Sequence, residues 1–149
     1  MFDPRSHSRA IDRTFGRQAF GADPAGYHVV RPAYPAWVFE QIVETCRLCR
    51  GSAVFEIGAG TGTATRKLLE LGADPLIAVE PDARLAGFLR QTITNPALQV
   101  VVQPFEEAKL ADGRFDLGVA ATAFHWLEED AALAKIARLL RPGGWWAMM

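Results

Sequence analysis

Residues 53 to 65 read AVFEIGAGTGTAT, and no other stretch limits the possible folds so tightly. An apolar run holding Val54, Phe55 and Ile57 is the pattern of a buried strand, glycines follow at 58, 60 and 62, and helical sequence resumes at about Ala64. The chain is therefore expected to turn sharply at the carboxyl end of a strand and pass straight into a helix. Glycine permits that turn and lets a ligand come close to the backbone, while the helix behind it presents unpaired amide hydrogens to an acceptor. A glycine turn alone is explained by sterics. Its meaning depends on what stands at fixed distances beyond it.

Beyond the turn, strand and helix patterns alternate. Ala53 to Ile57 is the first expected strand, Leu76 to Glu80 the second, Leu98 to Val102 the third and Phe115 to Thr122 the fourth, with WWAMM at 145 to 149 opening a fifth. Helices are expected from about Gly62 to Leu71, closed by Gly72, and from Pro81 and Asp82 to about Thr92, closed by Asn95 and Pro96. Another starts near Glu129, carries Leu133, Ile136, Ala137 and Leu140, and is ended by Pro142, Gly143 and Gly144. A polar loop with Glu106 and Glu107 joins the third and fourth strands. Strands separated by helix-length segments imply right-handed crossovers, hence an α/β, doubly wound parallel sheet of order 3-2-1-4-5. Its ligand crevice opens between strands one and four, where the glycine turn lies.

Ahead of the first strand, Trp37, Val38, Ile42, Val43 and Cys46 predict a helix from about Ala36 to Arg50 that Gly51 terminates. Residues 1 to 35 read as an amino-terminal arm, distinct from a domain over 36 to 149. A short helix is expected over Ile11 to Phe20, broken by Gly21, Pro24 and Gly26. YHVVRPAYP, at 27 to 35, is expected to lie extended across a surface, because Arg31 and Tyr34 each precede a proline.

Composition narrows the function classes. Half of the 149 residues are hydrophobic, which predicts a packed core, and 16 Lys plus Arg against 17 Asp plus Glu leave no basic field for nucleic acid. No apolar run approaches the roughly 20 residues of a membrane span, and the start, MFDPRSHSRAIDR, lacks a secretory core, so the expected location is cytoplasmic. Cys46 and Cys49 have no companions that would complete a zinc site. They are expected as reduced thiols on a helix, and no metal is expected.

Three features speak to the ligand. A dinucleotide fingerprint anchored on Gly58 and Gly60 needs a third glycine at 63, where this chain has Thr63. Glu80 ends the second strand about 20 residues after the glycine turn, the separation at which a carboxylate accepts from both ribose hydroxyls. Glu56 stands two residues before the first glycine, and FDLGVAATAFHW and RPGG follow at the fourth and fifth strands.

With these residues in place the chain resembles the class I S-adenosylmethionine-dependent methyltransferases over about Tyr27 to Met149. EIGAGTG matches the family's first motif, VEPDA its acidic ribose motif, FEEAKLADGRFD its adenine-side loop and LLRPGGWW the segment into strand five. YHVVRPAYP and AFHW are most similar to the small-molecule subgroup that includes trans-aconitate methyltransferases. The resemblance implies a Rossmann-like sheet. It also implies that Glu80 holds the ribose diol, that Gly58 and Gly60 admit the methionine portion, and that Glu56 orders the loop and faces the amino group. Ala59, Gly62, Pro81 and Ala121 join the implied cofactor-binding set. The adenine-side acid of the family falls at Pro104, which has neither a carboxylate nor an amide hydrogen, so the base contact passes to the Phe105 backbone or to Glu106. Tyr27 and Arg31 are implied at the methionine carboxylate or the substrate.

Phe124, His125 and Trp126 leave the fourth strand beside the expected methyl group and form the candidate substrate pocket, with His125 the candidate catalytic base. Each residue also has a plainer reading. Glu80 is also placed to favour a helix dipole, Glu106 to be a solvated acid, and Phe124 and Trp126 to pack in the core. The implied reaction is direct in-line methyl transfer to a small-molecule acceptor, driven by alignment and exclusion of water. A carboxylate acceptor needs no base; an amine or hydroxyl does. The family pattern continues into strands six and seven, which this chain lacks. The open edge is thus expected to self-associate or take a partner chain, and an inactive cofactor-binding fragment or subunit stands as the alternative. A nicotinamide oxidoreductase is disfavoured by Thr63.

Overall fold

The computed structural model describes residues 20 to 149; the helix expected over 11–20 lies outside them except for Phe20, which opens a 3-10 turn over Phe20–Ala22. Five strands form one parallel sheet. In chain order they are β1 (Ser52–Ile57), β2 (Ala73–Val79), β3 (Leu98–Val101), β4 (Phe115–Ala120) and β5 (Leu140–Met148), and their spatial order is β3-β2-β1-β4-β5. The helices are α1 (Pro24–Val30), α2 (Ala36–Cys46), α3 (Thr63–Glu70), α4 (Ala83–Thr92) and α5 (Glu129–Leu139).

Strand periodicity sends neighbouring side chains to opposite faces, and both faces are dry. Val54, Leu76, Leu117 and Val119 pack with Phe39 and Ile42 of α2 and with Ala64 and Leu68 of α3. Phe55, Ile57, Ile77 and Val79 pack on the other face with Ala132, Ile136 and Leu139 of α5. Leu89 and Ile93, at the end of α4, meet Ala78 and Ala59. Phe55, at the centre, has ring neighbours in Phe105, Phe115 and Trp146 at 6.1, 5.1 and 6.4 Å.

Several boundaries differ from expectation; β2 begins at Ala73 rather than Leu76 and ends at Val79, ahead of Glu80, and β4 ends at Ala120 rather than Thr122. Pro24 begins a helix instead of breaking one: its missing amide hydrogen is no loss in a first turn, and the Asp23 carboxylate caps it by accepting from the Gly26 N–H at 3.0 Å. Tyr27 to Val30 are therefore helical, and the extended path starts only at Arg31. The helix expected to reach Arg50 stops at Cys46, where Arg47 turns left-handed and Leu48 joins the core cluster that holds Val54 and Leu68. Cys49 consequently lies off the helix and exposed, and Gly51 belongs to the turn into β1. Finally, β5 starts at Leu140, opposite Phe115; residues 141–144 loop out before Trp145 pairs with Leu117.

Gly118 of β4 faces the Phe55 ring, and a Cβ there would sit 2.3 Å from the ring's far carbon. The ring is fully buried and boxed in by other aromatics, so it has nowhere to retreat. Gly118→Ala is expected to destabilise the fold by about 1–3 kcal/mol, read from urea unfolding midpoints.

Candidate functional site

A cavity of about 500 Å³ opens at the carboxyl ends of β1, β2 and β4, within the range of small-molecule sites. Gly58, Gly60, Glu80 and Pro81 line it from the β1 and β2 side, Pro104 and Phe105 from the loop after β3, and Ala121 to Ala123 from the end of β4. The segment from Tyr27 to Pro35 supplies a further wall.

The glycine turn is held by a buried acid. Glu80 is 5 % exposed; its Oε2 accepts from the Gly60 N–H at 2.7 Å and its Oε1 from the Asp82 N–H at 2.9 Å. One carboxylate thus ties the turn after β1 to the start of α4. The glycines have different reasons to be glycine. Gly60 is left-handed at φ 58°, and the nearest atom to a Cβ built there is an Arg31 guanidinium nitrogen at 4.0 Å, so its bare side faces the cavity. A Cβ on Gly62 would strike Leu89 and Ile93 at 2.3 and 2.8 Å, so that glycine serves the packing of α3 on α4.

Over the turn stands Arg31. Its guanidinium donates to the Tyr27 and Tyr34 hydroxyls, each at 2.6 Å, to the Ala121 carbonyl at 3.5 Å and to the Thr122 hydroxyl. Tyr34 and Thr122 share a further hydrogen bond at 3.1 Å. Thr122 holds φ 54°, a left-handed conformation uncommon for a β-branched residue and characteristic of constrained sites. Nearby, His28 Nδ1 bonds the buried Thr61 hydroxyl at 3.0 Å, joining α1 to the glycine turn. Tyr34, Thr122, His28 and Thr61 are absent from the set expected from sequence. Little local marks them, because the bonds that gather them at the site join residues 33 to 91 positions apart.

Of the expected residues, Tyr27, Arg31, Gly58, Gly60, Glu80, Pro81, Phe105, Ala121, His125 and Trp126 line the cavity. Ala59 and Gly62 sit behind it against α4. Glu106 is exposed and off the wall. Phe124 turns away from the cavity and packs on Trp146 at 5.6 Å, its place in the core. His125 is exposed on the rim beside the half-buried Trp126, their rings 4.6 Å apart. No helix among the described residues is long and apolar enough to cross a membrane.

Glu56 lies behind the turn, 1 % exposed, accepting from the Thr65 hydroxyl of α3 at 2.6 Å. Burial pushes its pKa up to about 8, which the Thr65 hydrogen bond opposes, the nearby Glu80 charge reinforces and Arg31 opposes.

A glycine turn, a buried acid at the end of the second strand and a cavity at the winding switch point define a nucleoside-binding α/β domain. A family model described as a methyltransferase domain matches residues 55–148. The chain belongs to this methyltransferase family, with S-adenosylmethionine as its cofactor. An uncharacterized methyltransferase of Mycobacterium tuberculosis is 32% identical over 126 residues, 85% of this chain and 49% of that protein. The chain thus spans about half the length of such relatives. Among solved structures, an assigned S-adenosylmethionine-dependent methyltransferase of Methanococcus maripaludis aligns over 99% of this chain and 66% of its own, with TM-score 0.73 and 19% identity. A Haloferax volcanii protein described as a methyltransferase, solved in complex with the methyltransferase activator Trm112, aligns over 87% of this chain and 56% of its own, with TM-score 0.72 and 22% identity. These two likenesses bear on the fold.

The raised Glu56 pKa fixes the sign of a pH effect. Between the ordinary value of 4.5 and about 8 the folded chain holds a proton that the unfolded chain releases, so this group's contribution to stability falls as pH rises through that window. Glu56→Gln is expected to flatten the decline, measured by urea unfolding at a series of pH values.

Proposed function

We propose that this chain transfers a methyl group from S-adenosylmethionine to a small-molecule acceptor by direct in-line displacement. The observation that carries the reading is the buried Glu80 carboxylate, hydrogen-bonded to the Gly60 amide at the edge of the cavity. A carboxylate offers about four acceptor positions, which suits a ribose diol as well as loop amides. The bare face of Gly60 takes the methionine portion, with Arg31 above it for the carboxylate. Pro104 and Phe105 form the wall for the base. When bound, the cofactor supplies a methyl group activated on a sulfonium.

The chain's own part is to bind, align and keep water out. Trp126 and Phe105 present aromatic surface to the cavity, and His125, on its rim, takes the proton of an amine or hydroxyl acceptor. A carboxylate acceptor needs no such base. The likeness of YHVVRPAYP and AFHW to the trans-aconitate methyltransferase subgroup favours a small organic acceptor. In this reading residues 1–35 act as an arm on a cofactor-binding domain of 36–149, working in the cytoplasm. The edge of β5, where Trp145 and Met148 are exposed, takes a covering chain.

Titration calorimetry of S-adenosylmethionine, with NADH as comparator, tests the reading. Wild type is expected to bind S-adenosylmethionine in preference to NADH, and Glu80→Ala to weaken that binding by tenfold or more, the loss of at least one charged hydrogen bond. A folded wild-type chain that ignores S-adenosylmethionine or prefers NADH would overturn it.

A further inference from the structure

The second tyrosine of YHVVRPAYP has no part in the proposed function, yet it lines the cavity beside Arg31. Pro32 denies Arg31 the helical conformation, and Arg31 accordingly closes α1 in extended backbone, at φ −77° and ψ 119°. Its guanidinium then sits between two phenols, with the central carbon 5.6 Å from the ring centres of both Tyr27 and Tyr34. Each hydroxyl accepts one hydrogen bond from it at 2.6 Å.

The two tyrosines are rooted differently. Tyr27 stands four residues before Arg31 on α1, so their bond is internal to one segment and moves with it. Tyr34 packs edge-on against Phe39 of α2 at 6.3 Å and rests on the core cluster that holds Leu117 and Val119 of β4. Its hydroxyl also reaches the strand end. A hydroxyl has one hydrogen, and the Thr122 hydroxyl gives its own to the Ala121 carbonyl at 2.8 Å. In the 3.1 Å bond between Tyr34 and Thr122 the donor is therefore Tyr34, whose oxygen is left to accept from Arg31. The relay runs from Arg31 through Tyr34 and Thr122 to the backbone just after β4.

This relay uses only one side of the guanidinium. Nη2 is spent on Tyr34 and Thr122, whereas Nη1, among the described residues, bonds only the Tyr27 hydroxyl. Nη1 is also the atom that faces the bare side of Gly60, 4.0 Å from a Cβ built there. It carries two hydrogens, so one is left to offer across that gap.

We infer that Tyr34 is a positioning residue for carboxylate recognition: by tying Nη2 to the end of β4, it leaves Nη1 aimed across the bare side of Gly60 at the carboxylate of the cofactor's amino-acid portion. The inference rests on the reading that puts the methionine portion at Gly60 beneath Arg31. A long side chain fixed in advance has less freedom to lose when its ligand arrives. The contribution of Tyr34 therefore falls on selectivity for the carboxylate, not on affinity for the nucleoside.

The test is titration calorimetry with S-adenosylhomocysteine and with its decarboxylated analogue, in which hydrogen replaces the carboxylate, alongside thermal melting. Wild type is expected to prefer the carboxylate compound by about tenfold or more, the worth of a charged hydrogen bond. Tyr34→Phe keeps the ring on Phe39 and deletes the hydroxyl; it is expected to cut that preference about fivefold while leaving affinity for the analogue unchanged. Arg31→Met is expected to abolish the preference, and adding Tyr34→Phe to it to change the preference no further, because the tyrosine acts through the arginine. Glu70→Gln, at an exposed ion pair on α3, is expected to behave as wild type. If Tyr34→Phe does not fold, Thr122→Val, which removes the next hydroxyl of the relay, decides in its place with the same expected direction. Equal weakening of both compounds by Tyr34→Phe would make the residue a piece of wall and overturn the inference. So would a further loss of preference on top of Arg31→Met, or a wild type that binds both compounds equally. A wild type that binds neither strikes instead at the proposed cofactor site, on which the inference stands.

Discussion

A buried carboxylate that holds a turn by its backbone is the constraint from which the site follows. Burying Glu80 costs desolvation, and the amides of Gly60 and Asp82 offset that cost only if the turn after β1 and the entry to α4 both bend toward it. The bend leaves Gly60 left-handed with its bare side to the cavity, and it sets Gly62 so tightly on Leu89 and Ile93 that no side chain fits. Helices α3 and α4 are thereby packed by the same geometry that opens the crevice. Site and core here are one piece of construction.

Glu56 is the counterpart on the opposite side of the turn. It faces α3, where the Thr65 hydroxyl satisfies it, and burial keeps it protonated at neutral pH. The two acids near the ends of adjacent strands are thus satisfied differently: Glu80 accepts from two backbone amides, Glu56 from a single hydroxyl.

Much of this arrangement is legible in the amino-acid sequence, and the parts that are not have a common cause. Apolar runs in AVFEI and LIAVE mark buried strands, the helix-length spacers dictate a parallel sheet, and the interval from Gly60 to Glu80 places the acid beside the turn. These are short-range patterns with one physical solution. Pro24 misleads because a proline is a breaker inside a helix and a starter in its first turn; Asp23, which decides between the two, carries the signal only once the capping bond is seen. The end of α2 is set by the burial of Leu48, a tertiary demand that outweighs Gly51. Phe124 and Glu106 leave the cavity for the same kind of reason: one finds Trp146 across the sheet, the other finds solvent. The Lys135 ammonium, on α5, donates to carbonyls of the loop after β3, 27 to 30 residues earlier, and has no local signature at all.

The wall built by residues 27–35 differs in kind from the rest of the enclosure. The strands are locked by apolar packing and the glycine turn by the buried Glu80 carboxylate, whereas this segment is fastened largely through polar bonds from Arg31, Tyr34 and His28 to Ala121, Thr122 and Thr61. Bonds of that sort exchange readily with water, and regions that rely on them open at lower free energy than the sheet beneath. Passage of small molecules in and out of the chamber can therefore proceed while the core stays folded. The residence time of a guest then depends on these nine residues as well as on the sheet and glycine turn beneath them.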